Sequence, residues 1–427
     1  SGKIPLTAQL NTQYFNGTLI PNDLLINTNI EGNALLTWTP NAAYNVTGNL
    51  DILAGKILLD EKQVDLPIKV LSAWDHGQVT FKVNNNLAQI NLGLEPDKKN
   101  NTRANNDFYS SINVAGKITL KGDYPLTANI DINNFNLRPF QSISHELTSL
   151  EGILNAKINV SGYLENPKIN GNIKLLDGRF KSLKSPNVMN DVKINISLLD
   201  TYAKLDGTFN IDKDKGELSG DAKWQKEKEL NLLINSERLS IMVPPQIEAT
   251  FAPKINARLT PSSLKLSGQV NVLDGILRII NLPEGSIELT NDVIFVDRQG
   301  DEIVKEKDFT IESDIKVFIN EAFQLTGQGF NGNLSGDLRV QHSNQQPLQL
   351  FGNLSIPDGR YHAYGQRLQI ERGKVSFNGP SENPHIDIKA TRTIPKENIK
   401  VGVEIKGLAN ALSLKLISSP TLSRAQI

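Results

Sequence analysis

Apolar and polar residues alternate through most of this chain, which is the pattern of β-strands with one buried face and one wet face. The stretch Leu348–Tyr361, LQLFGNLSIPDGRY, shows the repeating unit most clearly. One face of its strand carries Leu348, Leu350, Gly352, Leu354 and Ile356. Because polar residues fill the positions between them, we predict antiparallel strands with one solvated face.

An Asp-Gly pair closes three copies of this unit, at Asp177-Gly178, Asp274-Gly275 and Asp358-Gly359. Asp-Gly is favoured in two-residue hairpin turns, because both positions of such turns take positive φ. The pairs therefore predict three tight hairpins. These hairpins would place Leu175 opposite Phe180, Val272 opposite Leu277, and Ile356 opposite Tyr361.

A glycine interrupts the apolar face of many of these strands. The glycines concerned include Gly48, Gly116, Gly171, Gly207, Gly268, Gly336 and Gly352. Glycine inside a strand weakens it and usually marks a bulge, a bend or a close approach of two backbones. We therefore predict a sheet that bends toward its apolar face, where the missing Cβ atoms relieve crowding on the concave side.

Together these patterns predict an all-β fold: a long, curved, mainly antiparallel sheet that forms an elongated, U-shaped hydrophobic trough. With strands about 4.8 Å apart, about 25 strands would extend such a trough to about 120 Å. We expect at most one or two short helices, and Asn136–Ser149 is the best candidate because its apolar residues fall at helical spacing. The predicted segments are 1–135, 136–260, which begins with this helix, and 261–427.

Composition and motifs give little support to catalysis. The net charge is −1, from 45 basic and 46 acidic residues, which argues against a nucleic-acid partner. There is no cysteine, and the five histidines are scattered without metal-ligand spacing. The stretch Gly327–Gly332 matches G-x-G-x-x-G, but a strand pattern follows it instead of a helix. We therefore expect no enzyme, no metal and no cofactor.

Further features concern the ends of the chain. No apolar run reaches the roughly 18–20 residues that span a bilayer as a helix. We interpret the start at Ser1-Gly2 as having no signal peptide, and Ser419–Ile427 as a segment that ends before a finishing element. We expect the sequence to be part of a longer protein.

The apolar face is then the candidate functional surface. A closed sandwich core or a structural rod, such as a surface adhesin with a dry, packed interior, would also explain the alternation. However, a single core rarely grows past about 250–300 residues, and aromatic residues make up only 6% of this chain. We therefore favour an apolar face that binds a ligand such as an acyl chain. The predicted lining is Leu50, Ile52, Ile118, Leu120, Ile130, Ile132, Ile158, Val160, Ile173, Leu175, Phe180, Ile194, Ile196, Val270, Val272, Leu277, Leu338, Val340, Leu354, Ile356, Tyr361, Val375, Phe377, Ile386, Ile388, Val401, Val403, Leu414 and Leu416.

A family resemblance is carried by the last third of the chain. Gly268–Val296 contains an Asp-Gly pair, a Leu-Pro pair and an Asp-Val strand. The motifs that follow are Asp358–Gln366, Leu368-x-Ile370-x-x-Gly373, Phe377-x-Gly379-Pro380, Asn383-Pro384, Ala390-x-Arg392 and Ser418-Ser419-Pro420. Their order and spacing over residues 260–427 resemble the C-terminal domain of the TamB family. Residues 1–260 resemble the middle region of that family in style only.

The resemblance implies a protein of the bacterial periplasm, anchored to the inner membrane through an N-terminal helix that this chain lacks. It implies a curled sheet called a β-taco, similar to bridge-like lipid-transfer proteins and other AsmA-like relatives. The implied function is passive transport of phospholipid from the inner to the outer membrane. The implied partners are phospholipid, the membranes at both ends of the full-length protein, and the outer-membrane barrel protein TamA.

An alternative within the same family is an assembly factor. In this role the open edge strand would pair with nascent outer-membrane proteins or autotransporters, together with TamA. For the transport role we expect a charge at Leu175, Val272 or Ile356 to block transport while the fold survives.

Overall fold

The computed structural model describes residues 2–10, 24–37, 45–53, 55–59, 69–96, 111–138, 147–183, 185–225, 228–279, 309–327, 329–344, 346–363, 365–394 and 399–421. The described residues form strands joined by turns, and this confirms the all-β, mainly antiparallel prediction. The described residues include no helix that could span a membrane.

The chain divides into two compact units. The first contains Ser1–Asp212 and Glu217–Lys228, and the second contains Lys213–Gly216 and Glu229–Ile427. The strands up to the boundary are β1 Gly2–Leu10, β2 Leu24–Thr37, β3 Asn45–Ile52, β4 Gly55–Leu59, β5 Lys69–Asn84, β6 Leu87–Pro96, β7 Ser111–Thr119, β8 Pro125–Asn136, β9 Leu147–Tyr163, β10 Asn166–Ser182, β11 Val188–Leu199, β12 Tyr202–Ile211 and β13 Asp214–Lys223. The strands that follow are β14 Glu229–Asn235, β15 Leu239–Val243, β16 Ile247–Thr260, β17 Ser263–Arg278, β18 Thr310–Gly327, β19 Phe330–Ser343, β20 Gln346–Ser355, β21 Gly359–Ala363, β22 Gln366–Pro380, β23 His385–Ile394, β24 Ile399–Leu408 and β25 Ala411–Ser419.

Strand pairing follows chain order over much of each unit. In the first unit, neighbouring strands from β5 to β12 pair antiparallel. In the second unit the same holds from β22 to β25. The β17–β18 pair is the one parallel pair among the described pairings of that unit. Its connection includes residues 280–308, which lie outside the described residues.

The prediction of a helix at Asn136–Ser149 is wrong at Asn136 and at Leu147–Ser149. Asn136 is the last residue of β8, and Leu147–Ser149 opens β9. Leu147 and Leu150, which fit a helical spacing in sequence, instead lie opposite Ser182 and Phe180 of β10. Pairing with a neighbouring strand therefore overrides the local periodicity. Residues 139–146 of the prediction lie outside the described residues.

The three predicted Asp-Gly hairpins are also wrong, because the chain does not reverse at these pairs. Asp177-Gly178 lies inside β10, and Asp274-Gly275 lies inside β17. Asp358-Gly359 joins β20 to β21, and both of these strands pair with β19 on one side and β22 on the other. At each site the strand continues in the same direction through a shift in register, which is a β-bulge or a short interruption.

Such irregularities occur at matching positions in neighbouring strands, and we call each such row a bulge line. In the second unit, the bulge line runs through the register shifts at Thr250/Phe251, Val272/Gly275, Ile319/Phe323 and Ile370/Arg372, and through the interruption after Ser355. In the first unit, it runs through the shifts at Ile132/Phe135, Leu175/Gly178 and Asn190/Lys193. A bulge bends its strand and increases its twist. Aligned bulges therefore fold each sheet along one line.

The core of the second unit lies along its bulge line. Its buried apolar side chains are Ala249, Val272, Phe323, Leu334, Ile356, Ile370 and Ala390. Val272 and Phe323 flank the register shifts of β17 and β18, and Ile356 lies in the interruption between β20 and β21. The first unit is similar, since Leu175 and Val192 are buried beside its bulge line. Burial is thus concentrated where each sheet bends.

Candidate functional site

In each unit, apolar residues lie opposite one another in neighbouring strands, and this continues across many strands. Residues directly opposed in neighbouring strands, whether antiparallel or parallel, point to the same side of a sheet. In the first unit, one such row runs Val114, Ile130, Ile158, Gly171 and Leu198 from β7 to β11. In the second unit, another row runs Val270, Val317, Leu338, Gly352 and Phe377 from β17 to β22. Each unit therefore has a continuous apolar face.

Most of the predicted lining residues lie on these faces, but their burial varies. Leu175, Val272, Leu354 and Ile356 are buried, whereas Leu120, Leu414 and Leu416 are exposed. All of the other predicted lining residues are half-buried. Packed interiors leave little surface on such side chains. Intermediate exposure across so many aliphatic residues therefore indicates faces that the described residues cover only in part.

Exposure on the second unit's apolar face increases with distance from the bulge line. Val272, at the line, is 4% exposed. Val270 and Leu266, further along β17, are half-buried. At the far end, Leu259 and Ile311 are 39% and 40% exposed. The face is therefore packed at the bend and open to solvent toward the ends of its strands.

The position of the buried residues changes one expectation from the sequence. Leu175, Val272 and Ile356 belong to packed clusters beside the bulge lines. A charge at any of them would be buried without a partner, which costs several kcal/mol. Such variants would lose stability, so they cannot test the function of the face with the fold intact. The exposed residues of the same faces, such as Ile90 and Leu414, suit that experiment.

The predicted bending glycines have a backbone role. Gly171, Gly268, Gly336 and Gly352 have φ between +133° and +147°, which favours glycine. A Cβ atom at Gly352 would fall against the main-chain carbonyl oxygen of Asp337 on β19. Gly48 differs, because the Phe81 ring occupies the space that its side chain would take. Gly116 has room, since the nearest atom to an added Cβ is Ile90 Cγ2 at 3.6 Å. At Gly207, an added Cβ would lie 2.7 Å from the carbonyl oxygen of Lys193.

The opposite face of each sheet is polar and carries ion pairs. In the second unit, Arg339 donates two hydrogen bonds of 2.7 Å to Asp314, and this lowers the pKa of the Asp314 carboxyl. Arg372 donates to Asp387 and Glu404 at 2.9 and 2.8 Å. The Arg339–Asp314 and Arg372–Asp387 pairs join adjacent strands, and the Arg372–Glu404 pair spans from β22 across β23 to β24. They link the strands on the side away from the apolar face.

Glu371 is the most strongly perturbed group on this polar face. Hydrogen bonds from Lys400, Lys389 and Thr391 lower the pKa of its carboxyl to about 2. The Lys389 Nζ lies 3.0 Å from Glu371 Oε2, and Thr391 Oγ1 lies 2.8 Å from Oε1. These contacts join β22, β23 and β24, and they keep Glu371 ionised over the whole ordinary pH range.

Nothing in the described part of the chain forms a site for a metal: no three His, Asp or Glu side chains there are grouped to hold one. The stretch Gly327–Gly332 joins β18 to β19, and Gly327 lies opposite Phe330 in the ladder. It is a strand connection, as its sequence context predicts.

Sequence reasoning missed two features of the site. The bulge lines, with their buried residues Ala249, Phe323, Leu334 and Ile370, were not predicted. The Asp-Gly pairs mark the bulge lines in the sequence, but the same dipeptide is also common in hairpin turns. The second feature is a basic recess on the polar face of the second unit, lined by Arg360, Arg367 and Lys400. Its residues are far apart in sequence, so no local pattern marks it.

The fold and the site together define an all-β protein with a bent sheet in each unit and an open apolar face. Comparison with protein families assigns this architecture further. Residues 206–427 match the family model described as the TamB C-terminal domain, and residues 1–175 match the one described as the TamB N-terminal domain. The chain therefore belongs to the TamB family.

One curated relative is the translocation and assembly module subunit TamB of Haemophilus influenzae. It is 25% identical over 450 residues, an alignment that covers all of this chain. The chain spans 33% of the length of that relative.

Proposed function

We propose that the apolar faces bind the acyl chains of phospholipids and that the protein passes these lipids between the inner and outer membranes. The observation that carries the proposal is the row of half-buried aliphatic side chains that runs from strand to strand within each unit. Exposed apolar surface of this extent on a chain with net charge −1 calls for an apolar ligand.

The chemistry of the face suits an acyl chain. Burial of each chain methylene is worth about 0.8 kcal/mol. Ile, Leu, Val and Gly offer few fixed polar groups, so successive positions along the face have similar energies. A chain can then move between neighbouring strands, which are about 4.8 Å apart, without a large barrier. The phosphate headgroup stays in water at the open side. Transport of this kind requires no catalytic residue.

The test inserts one charge into the apolar face at exposed positions. Ile90 of β6 and Leu414 of β25 are 49% and 61% exposed, so Ile90→Asp and Leu414→Asp keep the fold. A carboxylate among acyl chains costs about 2.5–3.5 kcal/mol. We expect each variant to bind less co-purifying phospholipid, and to transfer fluorescent phospholipid between vesicles at least tenfold more slowly.

Matched controls carry the same charge one residue away on the polar face. Asn91 and Ser413 are exposed and point to the opposite side from Ile90 and Leu414. Asn91→Asp and Ser413→Asp should bind and transfer lipid like the unmodified chain. Lipid-free preparations of the unmodified chain, or equal losses in test and control variants, would refute the proposal.

A second candidate function is supported by the edge strand β25. Among the described pairings, β25 pairs only with β24, and its apolar side chains Leu412, Leu414 and Leu416 are exposed. An edge of this kind can add a strand from another polypeptide. The protein would then act as an assembly factor for outer-membrane proteins or autotransporters, together with the barrel protein TamA. Crosslinkers on β25 would capture polypeptide in this case and lipid in the first.

The cellular setting of both proposals is the bacterial periplasm. Family membership supports this setting, with an anchor in the inner membrane and TamA as the outer-membrane partner. Fractionation of cells that express the full-length protein, followed by co-purification with TamA, tests both points. Recovery in the cytoplasm would refute the setting.

A further inference from the structure

A recess of about 450 Å³ lies at the strand ends of β21–β24 in the second unit. Three arginines, Arg360, Arg367 and Arg392, line it together with Lys400, Glu371 and Thr391. Four of its nine lining residues are basic, whereas Glu371 is the one acid among them. This imbalance is unusual in a chain whose total charge is −1.

The charge of Glu371 is already neutralised by other residues. Its carboxylate pairs with Lys400 and Lys389 and accepts a hydrogen bond from Thr391. Arg360, Arg367 and Arg392 therefore have no carboxylate partner among the residues that the structure describes. Other arginines on the polar side of this unit differ, because Arg339 and Arg372 both pair with carboxylates. The three arginines keep their donors available.

The strand register brings the cations together on adjacent strands. Arg360 of β21 lies opposite Gln369 of β22, which lies opposite Thr391 of β23. Arg367 is two residues from Gln369 and therefore on the same side of β22. Lys400 of β24 lies opposite Thr393 of β23. Neighbouring strands are about 4.8 Å apart, and alternate residues are about 6.6 Å apart. The long side chains of Arg360, Arg367 and Lys400 can therefore reach one bound group.

Arg392 connects this recess to the apolar face. In the ladder it is two residues from buried Ala390, and it lies opposite Val401. By the alternation of the strand, it belongs to the apolar side of β23. Its presence in the recess lining means that the recess reaches the rim of the apolar face.

We propose that this recess is a binding site for a phosphate group, either as a free phosphate ester or as the headgroup of a phospholipid. Guanidinium groups present planar pairs of N–H donors that match phosphate oxygens, and they are weakly hydrated. The Lys400 ammonium adds further N–H donors besides the one that it gives to Glu371. The site stands independently of the proposed acyl-chain face, because most of its residues lie on the other side of the sheet.

The test removes the three arginine charges together, with Arg360→Gln, Arg367→Gln and Arg392→Gln in one chain. These side chains are exposed, so the fold should persist. Calorimetric titration would use inorganic phosphate, a soluble dihexanoyl phosphatidylglycerol, and dihexanoylglycerol, which lacks phosphate. We expect the unmodified chain to bind the two phosphate compounds and not dihexanoylglycerol. The triple variant should bind them at least tenfold more weakly.

The matched control removes the same charge elsewhere, by Lys117→Gln, Lys157→Gln and Lys174→Gln on the polar face of the first unit. This control should change phosphate affinity less than twofold. A second variant, Arg360→Lys with Arg367→Lys, keeps the charge but loses the planar donor pairs, and should weaken binding severalfold. It also covers the case in which the triple variant does not fold.

The two ligands separate the possible sources of phosphate. Tighter binding of dihexanoyl phosphatidylglycerol than of inorganic phosphate supports a lipid headgroup, and equal binding supports a free phosphate ester. Absence of binding to both compounds overturns the site. An equal loss in the lysine control also overturns it, because the attraction would then reflect net charge alone. Charge insertion at Ile90 should leave phosphate binding unchanged, so failure of the lipid proposal is distinguishable from failure of this one.

Discussion

Replacement of Gly352 by alanine tests whether glycine is needed for the close approach of β19 and β20. Gly352 has a φ of +133°, and its added Cβ would meet the Asp337 carbonyl oxygen of the neighbouring strand. A residue other than glycine in such a backbone conformation costs about 1–3 kcal/mol. The contact with a main-chain atom adds to this cost, because a carbonyl in a ladder cannot turn away. We expect a loss of at least about 2 kcal/mol in local stability.

The measurement should be local, because a chain with two units need not unfold in one step. Hydrogen exchange with mass spectrometry follows peptides from β19 and β20 separately from the first unit. A loss of about 2 kcal/mol corresponds to about thirtyfold faster exchange of the most protected amides. Peptides of the first unit should keep their exchange rates.

The control is Gly116→Ala in the first unit. An added Cβ there meets Ile90 and Ala128 at ordinary contact distances of 3.6 and 3.7 Å. Loss of a glycine without strain stabilises a protein by about 0.4–1 kcal/mol. Exchange in β7 and β8 should therefore stay the same or slow slightly. If Gly352→Ala behaves like Gly116→Ala, the argument that glycine is required for this bend is refuted.

Two further predictions concern stability in the second unit. Ile356→Ala leaves a cavity beside the bulge line and should lower the local free energy of unfolding by about 2–4 kcal/mol. Hydrogen exchange in β20–β22 should become faster, and an unchanged exchange rate would show that the cluster is not packed. The carboxyl of Glu371 has a pKa of about 2 in the folded protein against an ordinary value of 4.5. Its contribution to the free energy of unfolding is therefore full above pH 4.5 and is lost as the pH falls toward 2. It amounts to at most about 3 kcal/mol, because the exposed carboxylate is partly screened. Glu371→Gln should flatten the acid side of the thermal stability profile, and an identical profile would contradict the assigned contacts.

The strands and the side that each residue faces could be predicted from alternation alone. Ile173 lies opposite Ile196 and Ala156, all on the predicted apolar side. Alternation is a local property that the backbone geometry of a strand enforces, so it survives without knowledge of the partners.

The bends could not be predicted in the same way. Asp-Gly permits both a hairpin turn and a bulge, and the choice depends on which strand pairs beyond it. For Asp274-Gly275, the deciding contacts are with β16 and β18, and β18 begins only at Thr310. The last residues of the predicted helix, Leu147–Ser149, were wrong for a similar reason, since they pair with β10 as a strand. The recess of Arg360, Arg367 and Arg392 depends on the same long-range register.

The central claim is that lipid occupies the apolar faces, and site-specific photo-crosslinking in the full-length protein tests it most directly. A photoreactive phenylalanine analogue would replace Ile90 on the apolar side and, in a second variant, Asn91 on the polar side of the same strand. Illumination of living cells, followed by mass spectrometry, identifies what is captured. The account predicts phospholipid adducts at position 90 and far fewer at position 91. Polypeptide adducts at position 90, or equal lipid capture at both positions, would contradict it.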